Sequence, residues 1–155
     1  MAIQEPTKSS MLSLARYVDP KDIFFLNSQT REDVLIDLEK SLAHLPESDR
    51  IFKAINEREK IVSTGIGMGV AIPHAKLPGI HQFFIAFALL SQGVDWNSLD
   101  GAPVRLVFLI GGPDDKQTEY LQILSVLTSI IRDEGRRKKL LTAKSVADIL
   151  NVLRG

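Results

Sequence analysis

Residues 63–74 read S-T-G-I-G-M-G-V-A-I-P-H, with three glycines, no formal charge and a terminal histidine. Glycines leave backbone N–H groups uncovered, so such a segment can let an anion or a partner surface approach closely. The same glycines also suit a bulged turn that binds nothing. Two nucleotide signatures fail here: Gly65-x-Gly67-x-Gly69 is not G-x-G-x-x-G, and no Gly-Lys-Ser/Thr follows. His74 adds chemistry to the segment. It follows Pro73, which has a fixed φ and no backbone donor, so its ring is expected at a stiff strand end beside the glycines. An imidazole in that place is either a hydrogen-bonded structural group or a nucleophile, and these residues alone leave both readings open.

Other candidates carry less. His44 is expected late in a helix, where an imidazole interacts with the helix dipole. His81 follows Pro78-Gly79 in an expected surface turn. With no H-x-x-x-H and no cysteine, no metal site is expected. No G-x-S-x-G elbow is present. Asp114-Asp115 and Glu57/Glu59 read as solvated charges at helix ends. The basic run at residues 136–139 lacks interleaved aromatics and reads as a solvated face. Trp96 reads as a packing residue.

The elements that must position these groups follow from periodicity. A short helix is expected over residues 12–17, capped by Ser10 and stopped by Pro20, followed by a strand over 22–26. Thr30 and Asp33 form a capping box ahead of Leu35, Leu38, Leu42 and Leu45, an amphipathic helix that Pro46 ends. A second helix spans about residues 48–58 and buries Ile51, Phe52 and Ile55. Residues 83–90 and 104–110 are almost continuously apolar, as central strands covered on both faces would be. Gly111-Gly112-Pro113 is expected to turn the chain into a long helix over about 116–133, with Tyr120, Ile123, Leu124, Leu127, Ile130 and Ile131 as its stripe. Ser145 and Asp148 open a last helix. The result is an α/β or α+β layered domain. One domain is expected over residues 11–155, behind a flexible polar leader at 1–10.

Composition narrows the function classes. Nineteen basic residues balance nineteen acidic ones in 155, so no global field attracts nucleic acid or anionic membrane. Absence of cysteine excludes disulfides, a thiol nucleophile and Cys-ligated metal. The longest apolar run is far short of a bilayer span, and the first residues carry no signal-peptide pattern. A cytoplasmic protein without membrane insertion is expected.

Read together, Arg58-Glu59-Lys60-x-x-Ser63-Thr64-Gly65-Ile66-Gly67-x-Gly69-Val70-Ala71-Ile72-Pro73-His74-Ala75 resembles the signature of the mannitol/fructose-type IIA domain of the bacterial phosphotransferase system. That group includes the nitrogen-regulatory IIA proteins. The resemblance implies an α/β fold, a mixed β-sheet with helices packed on both faces, and the activity of a phosphocarrier. His74 would accept a phosphoryl group on Nε2 from the carrier HPr, then pass it to a cysteine of a IIB partner or use it to regulate a target protein. It places Arg58 beside His74, with Ser63, Thr64, Gly65, Gly67 and Gly69 as a phosphate- or partner-binding loop. It implies no cofactor, because the donor is itself a phosphohistidine. Where the family often has a second histidine, this chain has Tyr120. With no cysteine, a IIB acceptor is expected on a separate chain. Of the expected roles, regulation is preferred to sugar transport. A non-catalytic interaction module that keeps the fold is the alternative of another class.

Overall fold

The two longest apolar runs become the two central strands of a single sheet. The structure is a computed structural model that describes residues 12–154; the leader at 1–10, with Ser10 as a cap, lies outside them. Two 3-10 turns, Leu14–Tyr17 and Pro20–Asp22, lead into strand β1 (Ile23–Leu26). Helices α1 (Arg31–Ser41) and α2 (Ser48–Ile61) follow. Next come three short strands, β2 (Gly65–Gly67), β3 (Val70–Ala71) and β4 (His74–Leu77), and two long ones, β5 (Phe84–Val94) and β6 (Val104–Pro113). Helices α3 (Gln117–Arg132), α4 (Glu134–Leu141) and α5 (Val146–Arg154) complete the chain.

The sheet is mixed, with order β1-β5-β6-β3-β2. β5 and β6 are antiparallel, whereas β1 runs parallel to β5, and β3 and β4 both run parallel to β6. β3 and β4 therefore lie end to end along one side of β6, interrupted at Ile72-Pro73. Proline has no N–H to give the ladder, yet its carbonyl still accepts from Ile110 N at 2.9 Å. β2 covers β3 alone, so β4 has an open outer edge among the described residues.

Alternation along the strands divides the interior into two cores. Ile85, Phe87, Leu89, Leu106, Phe108 and Ile110 pack under α3, α4 and α5. Ala86, Ala88, Leu90, Val107 and Leu109 face α1 and α2. Helices thus cover both faces of the sheet, which explains why the central strands are apolar at every position and not at alternate ones. Thr30 caps α1 by accepting from Asp33 N at 3.1 Å. Ser145 Oγ accepts from Asp148 N at 3.1 Å ahead of α5.

Several local expectations are corrected. Gly111 and Gly112 are not a turn; they continue β6, and the space that a Cβ would fill at each is taken by the Phe84 and Phe83 rings. α1 ends at Ser41, well before Pro46. Pro20 opens a 3-10 turn behind Asp19, whose side chain accepts from Lys21 N. His44 lies past the end of α1, and its Nε2 contacts Asp22 Oδ1 at 3.1 Å. Glu59 is 6% exposed and not solvated.

Candidate functional site

Four side chains from three elements converge where β4 begins. Arg58, His74, Lys76 and Tyr120, with Ala54 and Ala75, line a cavity of about 490 Å³. Arg58 comes from the last turn of α2. Ile51, Phe52, Ile55 and Glu59 bury the adjacent stripe of that helix, which leaves Ala54 and Arg58, four residues apart, on the side facing β4. Tyr120 comes from the first turn of α3, on the opposite face of the sheet, at the head of a stripe continued by Ile123, Leu127, Ile130 and Ile131. His74 and Lys76 stand between the two layers on β4.

The interruption at Pro73 orients the histidine. His74 Nδ1 lies 2.9 Å from the Ile72 carbonyl oxygen. A carbonyl only accepts, so Nδ1 carries the proton and Nε2 keeps the lone pair. The half-buried ring therefore has one nitrogen committed to the backbone and the other available for attack.

The surroundings are cationic and aromatic. The Tyr120 ring centroid lies 6.2 Å from that of His74 and stacks on Phe83 at 5.9 Å. Burial pushes the Tyr120 phenol up from its ordinary value, and the Arg58 charge pulls it down by less. The phenol stays neutral near pH 7 and offers no positive charge of its own. Lys76 Nζ lies 4.1 Å from the Tyr120 ring centroid and donates to Gln117 Oε1 at 2.6 Å.

The glycine segment is placed elsewhere. Gly65, Gly67 and Gly69 do not line this cavity; they form β2 and its turn to β3, packed on the loop at residues 96–100. A Cβ on Gly65 would meet Ser98 Cβ at 3.1 Å, and Gly67, at φ +96°, lies against Asp100. Asp100 Oδ2 accepts from Met68 N at 3.0 Å. Ser63 Oγ donates to the Trp96 carbonyl and accepts from Gly65 N at 3.0 Å. Thr64 Oγ1 donates to Glu59 Oε1 and accepts from Trp96 Nε1 at 3.3 Å. Glu59 also pairs with Arg31 at 3.7 Å. This buried network ties the end of α2, and with it the backbone of Arg58, to the loop carrying fully buried Trp96.

The remaining candidates stand apart from the cavity. His81, Asp114 and Asp115 are exposed. Of the basic run on α4, Arg137 donates to the Ile131 carbonyl at 2.5 Å. Lys76 and Gln117 were not singled out from sequence; the signal for Lys76 was its place two residues after His74 on a strand. Among the described residues, no His/Cys/Asp/Glu cluster could hold a metal ion, and no helix is long and apolar enough to cross a membrane.

A mixed sheet with helices on both faces is the fold expected of a IIA domain of the phosphotransferase system. The chain matches the family described as phosphoenolpyruvate-dependent sugar phosphotransferase system, EIIA 2, over residues 16–155, and belongs to it. It is therefore a phosphotransfer component of that system. It is 39% identical over 103 residues to a nitrogen regulatory protein of Bradyrhizobium diazoefficiens, covering 66% of this chain and 67% of that one. It is 36% identical over 121 residues to a fructose-specific EIIA component of Haloferax volcanii, covering 78% and 79%. Among solved structures, nitrogen regulatory protein IIA-Ntr from Neisseria meningitidis superposes with a TM-score of 0.82 at 28% identity, covering 90% of this chain and 98% of that one.

Proposed function

We propose that the chain is a phosphocarrier that accepts a phosphoryl group from an HPr-like protein on His74 Nε2 and uses its phosphorylation state to regulate a partner protein. The observation that carries this reading is the bond between His74 Nδ1 and the Ile72 carbonyl, inside a cavity shared with Arg58. In the transfer, the Nε2 lone pair attacks phosphorus as the donor's N–P bond breaks. The bonding pair returns to the donor ring, which is protonated on its other nitrogen and leaves as neutral imidazole. His74 keeps its Nδ1 proton and becomes the positively charged ring that carries the phosphoryl group. Its bond to Ile72 is then charge-assisted and stronger. Arg58 places a planar guanidinium against the equatorial oxygens, where charge must be held during in-line transfer. The glycine segment is assigned to holding the Trp96 loop and the end of α2, and not to gripping phosphate.

Donation onward to a cysteine of a separate IIB chain is the second reading, supported by the fructose-specific relative. The chain has no cysteine of its own to receive the group. Wild type and His74→Ala are incubated with HPr-phosphate and assayed for an acid-labile, base-stable label. Wild type is expected to label and the variant to stay blank; full labelling of the variant sinks the assignment. Adding a IIB protein to labelled wild type separates the two readings, because only the transport reading expects rapid loss of label to it.

A further inference from the structure

His74 and Lys76 are two apart on β4, so their side chains leave the same face of the strand. The Lys76 ammonium is held from two sides, by the Tyr120 ring at 4.1 Å and by Gln117 Oε1 at 2.6 Å. Tyr120 is 7% exposed and backed by Phe83, so its ring is a fixed platform. The Tyr120 hydroxyl can give one neutral hydrogen bond, whereas the face of its ring attracts a cation. The positive charge on this side of the cavity therefore belongs to Lys76, while Arg58 supplies charge from the α2 side.

We propose that Lys76 is a second cation for the phosphoryl group on His74, and that Tyr120 is a positioning residue that seats it through its ring face. The inference rests on the phosphocarrier reading above. Its four-carbon stem lets the ammonium leave the Gln117 oxygen for a phosphoryl oxygen without any backbone change. Gln117 is neutral and exposed, so it is easily exchanged for a doubly charged partner. The covalent step is unaltered: one N–P bond forms, one breaks, and Lys76 keeps all its protons. Arg58 on α2 and Lys76 on β4, seated against Tyr120 of α3, then hold the group from two sides, which fixes its direction as well as its charge.

The test compares acceptance rate and phospho-form lifetime in wild type, Lys76→Met, Lys76→Arg, Tyr120→Phe and Tyr120→Leu. Two donors are used: HPr-phosphate, and phosphoramidate, which has no protein surface. Lys76→Met is expected to slow acceptance about tenfold with both donors, as loss of a charge-assisted contact would. Lys76→Arg is expected to recover most of that loss. Tyr120→Leu should fall about as far as Lys76→Met, with the double variant no lower than the worse single one. Tyr120→Phe keeps a ring face and should lose no more than about threefold. Wild-type acceptance and lifetime in Lys76→Met would overturn the inference alone, since Lys76→Met alters a partly exposed residue and should fold. So would a loss confined to HPr-phosphate, which would make Lys76 a contact for the carrier protein. Tyr120→Phe falling as far as Tyr120→Leu would make the hydroxyl the working group and overturn the seat. If wild type accepts phosphate from neither donor, the phosphocarrier reading fails and this inference with it.

Discussion

A single methyl group added at Gly112 should both weaken the fold and disturb the site. Gly112 pairs with Lys76 across the β4–β6 ladder. A Cβ there would lie 2.6 Å from Phe83 Cε1 and 2.7 Å from Cγ, and closer still to Cδ1. The ring cannot simply swing aside, because Phe83 is 5% exposed and stacked on Tyr120. Overpacking of this kind costs about 1–3 kcal/mol. Alanine in place of glycine in a strand returns about 0.5–1 kcal/mol of backbone entropy. Contacts this short put the overpacking in the upper half of that range, so the net expectation for Gly112→Ala is a loss of about 1–2 kcal/mol. In a chain of this size that lowers Tm by about 2–8 °C. Displacing Phe83 also pushes on Tyr120, so phosphate acceptance should fall alongside stability. Urea titration provides the measurement, with Phe83→Leu and the double variant completing a cycle. The smaller leucine should absorb the methyl group, so Gly112→Ala should cost less in the Phe83→Leu background. A Gly112→Ala protein with the wild-type midpoint and slope would refute the argument.

Two further outcomes are expected. Arg58→Ala should slow phosphate acceptance by about 10²-fold or more while Tm moves little, since the side chain is exposed; a folded variant with the wild-type rate would reduce Arg58 to a surface charge. Tyr17 donates to Glu119 Oε2 at 2.7 Å, and burial first, then this bond and the charge on Glu119, push its phenol up to about 12. A folded pKa above the ordinary 10.0 means that the contribution is complete below about pH 10 and is lost as pH rises through 12. Tyr17→Phe should cost about 1 kcal/mol at neutral pH, and the Tm gap to wild type should close between pH 10 and 12; a gap that stays constant across that range would refute the assignment.

What could be read from sequence was whatever repeats locally. The run at residues 83–90 showed a strand buried on both faces, and Thr30 with Asp33 marked the start of α1. His74, Arg58 and Tyr120 come together in the sequence only through the resemblance to the family, whose pattern covers residues 58–75 and sets Tyr120 at its second-histidine position. What could not be read depended on partners far along the chain. Gly111 and Gly112 have the composition of a turn, and only the aromatic pair Phe83 and Phe84 on the neighbouring strand makes them strand residues. Glu59 looked solvated because its partners Thr64 and Arg31 come from a loop and another helix. The sequence offers His44 only a helix dipole, because its partner Asp22 lies 22 residues earlier. The glycines have the composition of an anion loop, yet their neighbours are Ser98 and Asp100.

The division of the interior into two cores has a consequence for how the cavity can fail. Arg58 rides on one helical layer and Tyr120 on the other, and His74 sits on the open edge of the strand between them. The cavity is thus a seam and not a pit in one wall. Partial opening of the α2 layer takes Arg58 away, and partial opening of the α3 layer takes away the Tyr120 ring on which Lys76 lies, while the other layer stays folded. Competence to hold phosphate therefore reports on cohesion of the whole sandwich, and a partner seated across the mouth acts as a suture, making the two layers open together or not at all.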